Sequence, residues 1–364
     1  MSTYNIDALL KKAYEMGASD VHIIVGEVPS FRIDGRIFKT NLRPVTEDDM
    51  LRAIDDIAPI SMRDKIFKSY DSDFPYEIEG VCRFRVNLAM TFGYHSMTIR
   101  MISYDIPTVE ELNLPENIHK FADFDNGIVF ITGATGSGKS TTIASILNHI
   151  NLNLEKHVVT IEDPIEYVYK SHKAIFTQRQ IGIDTTNYID GLKYALRQDP
   201  DVILIGEIRD METVQSALHA AETGHLVFAT LHTYNAIQTI NRILSFFPPG
   251  EREIVRSQLA ELFRGSISQK LLQRSEGRGR IPACEILFST PTIKDFILKD
   301  ELEEIYKLVK KGGYEDMLTF NNCLYQLCRK GLITKEEAMN NTDNKNELAQ
   351  MFRGVYSGND NSEF

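Results

Sequence analysis

The chain has 364 residues, a formal net charge of −11 and a 43% share of hydrophobic residues. A single hydrophobic core rarely serves so long a chain, so we expect two domains, and the composition argues against a disordered protein. The acidic balance argues against a translocase or general binder of nucleic acid, because such proteins present a basic face to the phosphates.

The first hundred residues predict a small α+β domain. An amphipathic helix without the apolar stretch of a secretory signal comes first, which favours a cytoplasmic protein. Four strand-like runs follow, at 21–25, 31–38, 81–90 and 95–102. The pair Asp34-Gly35 predicts a hairpin turn, and Thr46 is suited to cap a helical segment that extends to Tyr70. We place this domain at 1–104 and an acidic linker with two prolines at 105–117.

From Gly127 the pattern changes to apolar, β-branched runs that alternate with longer helix-like segments. The runs lie at 128–132, 157–161, 201–205 and 226–230. Continuous apolar strands between helices predict a parallel sheet buried on both faces, so we expect a doubly wound α/β domain over 118–290. A mostly helical region over 291–353 and a polar tail over 354–364, expected to be disordered, complete the chain. No run is long enough to span a membrane.

Two further groups of residues are interpreted as packing residues. Helical spacing predicts four core residues in the second domain: Leu259, Leu262, Phe263 and Ile267. The alternative for them is a surface that binds a partner protein. The four cysteines are scattered and form no CxxC pair of the kind found in zinc sites, so we expect reduced thiols in packed positions: Cys82, Cys284, Cys323 and Cys328.

A complete Walker A motif is the strongest chemical signal. It follows the run at 128–132 directly and precedes a helix-like segment, a context that a chance glycine-rich turn would lack. In such a loop the backbone amides wrap a β-phosphate, a lysine reaches the β- and γ-phosphates, and a serine binds Mg²⁺. The motif therefore predicts ATP and Mg²⁺ as cofactors, with Ser140 as a metal ligand. The candidate binding residues are Gly133, Ala134, Thr135, Gly136, Ser137, Gly138, Lys139, Ser140 and Thr141.

Strand geometry selects the acidic residues that can reach the phosphates. Asp201 opens the run at 201–205 and Glu207 lies just past its end, so at about 3.3 Å per residue they are roughly 20 Å apart. Because ligands of open α/β sheets bind beyond the carboxyl ends of the strands, we assign Glu207 to the site and a structural role to Asp201. The same rule selects Glu162, expected to polarise the attacking water while Glu207 organises Mg²⁺ through water. The sequence leaves these two roles exchangeable, and Asp163-Pro164 is as consistent with a plain turn as with catalysis.

Two histidines flank the run at 226–230. They are seven residues apart, so an extended strand places them on the order of 23 Å from each other, and only one can contact the γ-phosphate. His232, at the carboxyl end, is the candidate that donates a hydrogen bond to this phosphate. His225 is expected to have a structural role, as a cap or at an interface.

Three further motifs follow the Walker A loop: Glu162-Asp163-Pro164-Ile165-Glu166-Tyr167, Gly206-Glu207-Ile208-Arg209-Asp210, and Glu222-Thr223-Gly224-His225-Leu226 through Leu231-His232-Thr233. Together the four motifs resemble the Walker A, Asp box, Walker B and His box of the secretion-superfamily ATPases, in that family's order. Within this superfamily the chain is most similar to the PilT/PilU twitching-motility ATPases, which power type IV pilus retraction. The similarity covers nearly the whole chain, including 17–22 and 178–179.

This resemblance implies a PAS-like domain before a RecA-like core, assembled as a homo-hexamer with ATP bound between the two domains. In such relatives arginines of the first domain complete the site, and the matching positions are Arg83, Arg85 and Arg100. Arg83 and Arg85 occupy alternate positions of a predicted strand. The alternative to a role in the nucleotide site is that they simply lie on its solvent-exposed face. The implied function is a Mg·ATP-hydrolysing motor at the cytoplasmic face of the inner membrane. It would act on the pilus platform protein and bind no nucleic acid.

One departure from that family leaves other functions open. Retraction motors of this kind carry Ala-Ile-Arg-Asn-Leu-Ile in the C-terminal region, whereas this chain has Thr292-Ile293-Lys294-Asp295-Phe296-Ile297. With the polar extension after Thr334, this favours the alternative of a PilU-like accessory ATP-binding subunit that acts with a related retraction ATPase. A type II secretion or pilus extension ATPase is a further alternative, but those proteins usually add an N-terminal domain and a four-cysteine insertion.

Overall fold

The computed structural model describes residues 5–33, 35–66, 69–102, 105–276, 279–311 and 316–354. The chain divides into two compact units, Met1–Asp105 and Ile106–Phe364. Asp34 of the predicted hairpin turn and the predicted tail beyond Gly354 lie outside the described residues. Within the described ranges, no helix has the length and apolar character needed to cross a membrane.

In its described part, the first unit is built on a six-stranded antiparallel sheet. Its strands are β1 (Asp20–Ile24), β2 (Ser30–Ile33), β3 (Arg36–Lys39), β4 (Asp71–Ile78), β5 (Cys82–Thr91) and β6 (Tyr94–Ile102). They are arranged in the order β3-β2-β1-β6-β5-β4, and each neighbouring pair is antiparallel. The helices are α1 (Ile6–Glu15), α2 (Glu47–Ile57) and the short α3 (Arg63–Ile66), with a 3₁₀ turn at Ile60–Met62.

The strand runs predicted for this unit are all present, but the sequence pattern misses β4. This strand contains Pro75, which argues against a strand because proline has no backbone N–H to donate. It is tolerated because β4 is an edge strand that pairs on one side only, with β5. The expected hairpin is formed by β2 and β3, with Gly35 in the turn at φ +77°.

The helical segment that the spacing predicts over 46–70 is interrupted. Thr46 caps α2 as expected: its hydroxyl accepts from the backbone N–H of Asp49, whose carboxylate accepts from the N–H of Thr46. The helix ends at Ile57 because Ala58 is extended, the conformation preferred by a residue that precedes proline. The remaining helical residues form separate short turns.

The described part of the second unit contains a seven-stranded sheet. Its strands are β7 (Gly127–Thr132), β8 (His157–Glu162), β9 (Ile175–Gln180), β10 (Val202–Ile205), β11 (Leu226–Leu231), β12 (Phe263–Gln273) and β13 (Arg280–Phe288). In the order β13-β12-β7-β11-β10-β8-β9, all neighbours are parallel except the hairpin of β12 and β13 at one edge. This agrees with the predicted doubly wound α/β domain, although the apolar runs do not reveal β9, β12 and β13.

Helices cover both faces of this sheet. They are α4 (Lys139–Asn153), α5 (Tyr188–Ala195), α6 (Met211–Glu222), α7 (Ala236–Ser245), α8 (Arg252–Leu262), α9 (Pro291–Leu298), α10 (Leu302–Lys310), α11 (Phe320–Arg329), α12 (Lys335–Asn341) and α13 (Lys345–Phe352), with a 3₁₀ helix at Glu116–Asp123. Val129 of β7 belongs to the apolar core that contains Leu147 of α4, and Phe130 to the core that contains Ile240 of α7. The first of these cores also includes apolar residues of α11, α12 and α13.

The four residues with helical spacing over 259–267 are all buried, as predicted, but they do not share a helix. Leu259 and Leu262 belong to α8, whereas Phe263 and Ile267 belong to β12, so the helical interpretation of the last two is wrong. A separation of four would place them on one face of a regular strand, but a bulge after Phe263 sends them into different cores. The four cysteines are unpaired, and all except Cys328 are buried.

The stretch that the sequence marks as a linker, 105–117, carries core residues. Val109 and Leu114 are buried in the second unit, and the division between the units falls after Asp105. Proline and acidic residues in this stretch therefore do not prevent it from packing into the core of the second unit. The finer limits of the predicted domains stay predictions.

Candidate active site

The Walker A loop connects β7 to α4. Gly133 and Gly138 have φ angles of +144° and +91°, in the region that favours glycine. A side chain at either position would also collide with Gln269 of β12. The loop therefore has the glycines that its backbone path requires, and it delivers Lys139 and Ser140 to the first turn of α4.

Lys139 is a buried cation within this loop. Its ammonium donates to the carbonyl oxygens of Gly133 at 2.8 Å and Ala134 at 2.9 Å. Burial lowers the pKa of Lys139, while the negative charges of Glu207 and Glu166 act in the opposite direction. The first N–H groups of a helix have no partner within that helix, so a cation at the N-terminus of α4 favours the binding of an anion such as phosphate.

Four neighbouring parallel strands end at this same edge of the sheet. The register pairs Thr132 of β7 with Leu231 of β11, Ala229 of β11 with Ile205 of β10, and Ile205 with Ile161 of β8. The residues that follow these positions therefore emerge side by side. They line a cleft of about 300 Å³ whose walls include Thr135, Gly136, Lys139, Ser140, Glu162, Glu207 and His232. The structure thus brings the Walker A loop together with both acidic candidates and the histidine candidate.

Glu162, the last residue of β8, is half-buried and lines the cleft. Burial raises the pKa of Glu162 to about 7, although its carboxylate accepts hydrogen bonds from Thr160 Oγ1 at 2.6 Å and Gln178 Nε2 at 3.4 Å, which lower it. A carboxylate with a pKa near neutrality can take a proton from water and release it again. This property suits Glu162 to the role of general base.

Glu207 follows β10 and contacts the side chains of Arg209 and His232. Its Oε2 accepts from Arg209 Nη2 at 2.6 Å, and its Oε1 lies 3.0 Å from His232 Nε2. Burial alone would raise the pKa of Glu207, but the hydrogen bond and charge of Arg209, together with the charges of His232 and Lys139, lower it. Glu207 therefore stays ionised near neutral pH, as a residue that binds the water shell of Mg²⁺ must. The contrast with Glu162 favours Glu162 as the base and Glu207 as the metal residue, the assignment that the sequence leaves open.

The raised pKa of Glu162 predicts a pH dependence of ATP turnover. A base must be unprotonated, so kcat/KM for Mg·ATP is expected to rise with pH and to level off above about 7. Steady-state ATPase rates between about pH 5.5 and about pH 9 measure this profile. Glu155→Gln, which changes an exposed carboxylate just before β8, is the matched control and is expected to keep the wild-type profile. A wild-type profile that stays flat over this range would contradict the assignment.

Asp201 and His225 lie at the opposite edge of the sheet, as predicted. Asp201 accepts from the backbone N–H of His157 at 2.8 Å, at the start of β8. His225 Nδ1 lies 2.9 Å from the carbonyl oxygen of Ala220, near the end of α6. Both residues join the beginning of a strand to a neighbouring element. Asp163-Pro164, with a cis peptide bond, lines the cleft next to Glu162.

The three arginine candidates lie on one face of the sheet in the first unit. Arg85 of β5 is opposite Arg100 of β6, and Arg83 lies two residues from Arg85 on the same strand. Arg100 donates to Asp20 at 2.9 Å, and Arg85 donates to Asp73 at 3.3 Å. The residues that alternate with them on β5 are buried. Arg85 and Arg100 are therefore paired with carboxylates of their own unit. The part of the three arginines in the nucleotide site stays a prediction.

Several contacts at the cleft are not foreseen from the sequence. Tyr167, whose hydroxyl lies 2.9 Å from Thr141 Oγ1, and Arg209 belong to motifs that the sequence shows, but nothing there indicates their partners. Gln178 bonds to Glu162, and its only signal is its inclusion in the family resemblance. Gln269, which contacts the Walker A loop, has no motif signal at all.

The fold agrees with comparisons to known proteins. Residues 3–285 match the family described as type II/IV secretion system protein. The chain belongs to this family. It is 42% identical over 334 residues to the type IV pilus retraction ATPase PilT of Pseudomonas aeruginosa, a match that covers 92% of this chain and 97% of that protein. It is 38% identical to the type IV pilus ATPase PilU of the same organism, with 95% and 91% covered.

A solved structure gives the same result for the fold. The crystal structure of the pilus retraction motor PilT with bound ADP superposes with a TM-score of 0.90 at 42% identity, covering 95% of this chain and 99% of that one. The predicted fold, a RecA-like ATPase core preceded by a smaller PAS-like α+β domain, is therefore confirmed. The chain is a PilT-type secretion ATPase, an enzyme that hydrolyses ATP.

Proposed function

We propose that this PilT-type ATPase is a motor that powers type IV pilus retraction and, through it, twitching motility. The observation that carries the proposal is that Lys139, Glu162, Glu207 and His232 of the second unit line one cleft. Its biological context comes from the retraction ATPase PilT, to which the chain is 42% identical over almost the whole length of both proteins.

In the proposed reaction, the Walker A loop and Lys139 hold the phosphates of ATP. Ser140 and Glu207 fit Mg²⁺, because both line the cleft and present oxygen atoms, the ligands that this metal prefers. When bound, the metal neutralises charge on the β- and γ-phosphates. Glu162 orients the attacking water and accepts its proton, and His232 donates to the γ-phosphate. His232 also contacts Glu207. A movement of His232 when the phosphate leaves would therefore change the surroundings of the residue that binds the metal.

The proposed working form is a homo-hexamer at the cytoplasmic face of the inner membrane, acting on the pilus platform protein. In this assembly Arg83, Arg85 and Arg100 are proposed to complete the nucleotide site, since guanidinium groups stabilise charge on a transferring phosphoryl group. Their arrangement in one row on a rigid sheet supports the idea that they move as a unit. Such movement couples hydrolysis to mechanical work.

An accessory, PilU-like role is the second candidate, and α9 is the observation that favours it. This helix carries the altered C-terminal motif. It keeps its apolar face, with Ile293 and Ile297 buried. One of the changed polar residues, Lys294, forms an ion pair with Glu261 of α8 at 3.3 Å, so it interacts with another part of the same chain. The 38% identity to PilU is consistent with this reading.

The steady-state Mg·ATPase rate of the purified protein alone, with the particle mass measured by light scattering in the same sample, separates the two roles. An autonomous motor is expected to turn over ATP as a six-subunit particle and to lose this activity in Glu207→Ala. Glu253→Ala, at an exposed carboxylate of α8, is the matched control and is expected to keep it. Tight ATP binding without turnover, with activity only after a related retraction ATPase is added, would indicate the accessory role. Absence of both binding and turnover would contradict both.

A further inference from the structure

We infer that Gln269 is the positioning residue of the Walker A loop, holding it in the conformation that receives the nucleotide. The inference rests on the proposed nucleotide site and adds to it a residue from outside the motif. Gln269 lies about 130 positions further along the chain, on β12, which is the neighbour of β7 in the sheet. Only 3% of its surface is exposed.

The side-chain amide of Gln269 joins the loop to the helix that follows. Its Nε2 donates to the carbonyl oxygen of Ser137 at 2.9 Å, and its Oε1 accepts from Thr142 Oγ1 at 2.7 Å. A carbonyl oxygen can only accept, so the contact with Ser137 determines which end of the amide is nitrogen. The Thr142 hydroxyl then donates to the oxygen. One side chain thus satisfies a loop carbonyl and a hydroxyl of the first helical turn together.

Two glycines of the loop approach the same residue closely. A side chain at Gly133 would lie 2.4 Å from the backbone carbonyl oxygen of Gln269, and one at Gly138 would lie 2.7 Å from its Nε2. By contrast, a side chain at Gly136 would meet nothing within 4 Å. Gln269 therefore touches the loop on both sides of its apex, where the backbone has no room for any other residue than glycine.

The contact has a direct consequence for phosphate binding. Glycine-rich backbone has more conformational freedom than other sequences, so its ordering on binding costs affinity unless the protein orders it in advance. The peptide of Ser137 immediately precedes Gly138 and Lys139. The orientation of this peptide sets the direction of the loop amides and of the start of α4, which are the groups expected to bind the phosphates.

A packing role alone does not explain a glutamine at this position. An apolar side chain would fill the same space without the cost of burying a primary amide, a cost that is offset only when the amide is hydrogen-bonded. Both ends of the Gln269 amide are bonded, one to Ser137 of the Walker A loop and the other to Thr142 in the first turn of the helix that follows it. We therefore assign the polar atoms of Gln269 the role of holding the Walker A loop in position.

The affinity for a fluorescent ADP analogue, measured with the melting temperature of the same sample, tests this inference. Gln269→Leu keeps the size of the side chain and removes both hydrogen bonds. It is expected to weaken ADP binding about tenfold and to raise KM for ATP by a similar factor, while kcat at saturating ATP changes little. Gln273→Leu, the same change at an exposed position of β12, is the matched control and is expected to bind ADP as the wild type does.

A second variant leaves Gln269 in place and removes only the hydrogen bond that orients its side-chain amide. Thr142→Val removes the hydroxyl that donates to Gln269 and is expected to weaken ADP binding about threefold. In the Gln269→Leu background the same change is expected to have no further effect, because the amide that it orients is gone.

Unchanged ADP affinity in folded Gln269→Leu, with or without a lower melting temperature, would overturn the inference. Should that variant not fold, unchanged affinity in Thr142→Val would overturn it instead. Lys139→Ala separates this failure from failure of the proposed site. If Lys139→Ala also binds ADP normally, the nucleotide site itself is wrong; if it loses binding while Gln269→Leu retains it, only the role of Gln269 is wrong.

Discussion

Lys139→Ala is expected to abolish ATP turnover, with kcat/KM lowered by about a thousandfold or more. The reason is that Lys139 is the buried cation of the Walker A loop, and its removal leaves the β- and γ-phosphates without their main side-chain counterion. A coupled-enzyme ATPase assay on the purified variant measures the loss. Circular dichroism on the same sample shows whether the fold is retained.

The matched control for this change is Lys299→Ala. Lys299 is exposed at the end of α9 and pairs only with Asp295 of the same helix at 2.6 Å among its described contacts. Surface pairs of this kind contribute little, so wild-type turnover is expected. Turnover of Lys139→Ala at the level of the control would show that the loop is not the phosphate site.

Glu162→Gln is expected to lower kcat by a factor of about 10² to 10⁴ while the affinity for ATP changes little. Glutamine keeps the size and the hydrogen-bonding oxygen of the side chain but cannot accept a proton from water. Single-turnover hydrolysis and equilibrium ATP binding, measured on the same variant, separate the two quantities. Because glutamine carries no charge, the variant is also expected to lose the rise of activity with pH that the raised pKa of Glu162 predicts.

Glu207→Gln provides the comparison that distinguishes the two carboxylates. Its partners, Arg209 and His232, keep Glu207 ionised, so its replacement is expected to raise the Mg²⁺ concentration needed for half-maximal activity. Glu162→Gln is expected to leave this concentration unchanged. The reverse result, a shifted Mg²⁺ requirement in Glu162→Gln alone, would exchange the two roles.

In the second unit, the strands that the sequence predicts are those whose side chains are mostly apolar on both faces. In β7 and β11 every residue is buried, and a nearly continuous apolar run is typical of a strand that lies between two layers of helices. β12 and β13 are also almost fully buried, but they contain Ser268, Gln269 and Glu285. Hydrogen bonds to distant segments satisfy these polar groups, for example the backbone N–H of Ala236 that donates to Glu285 at 2.8 Å. Such partners are not visible in a local pattern.

The candidate site also has features that the sequence predicts and features that only the structure reveals. Walker A residues and the positions of Glu162, Glu207 and His232 follow from the rule that ligands bind at the carboxyl ends of parallel strands. The different acidities of the two glutamates do not follow from it, because they depend on burial of Glu162 and on the partners of Glu207. The contact between Gln269 and the loop depends on the neighbourhood of β12 and β7, which only the folded sheet defines.

The apolar core shared by β7, α4 and helices α11 to α13 means that the C-terminal region is not an exchangeable module. A substitution on the buried face of α11 or α13 changes the packing against β7 and α4, the two elements that the Walker A loop connects. It does so although these helices are far from the loop in the sequence. A change in the C-terminal helices can therefore affect the strand and helix that hold the Walker A loop. A chimaera that exchanges these helices between relatives would need to carry the facing residues of β7 and α4 with them.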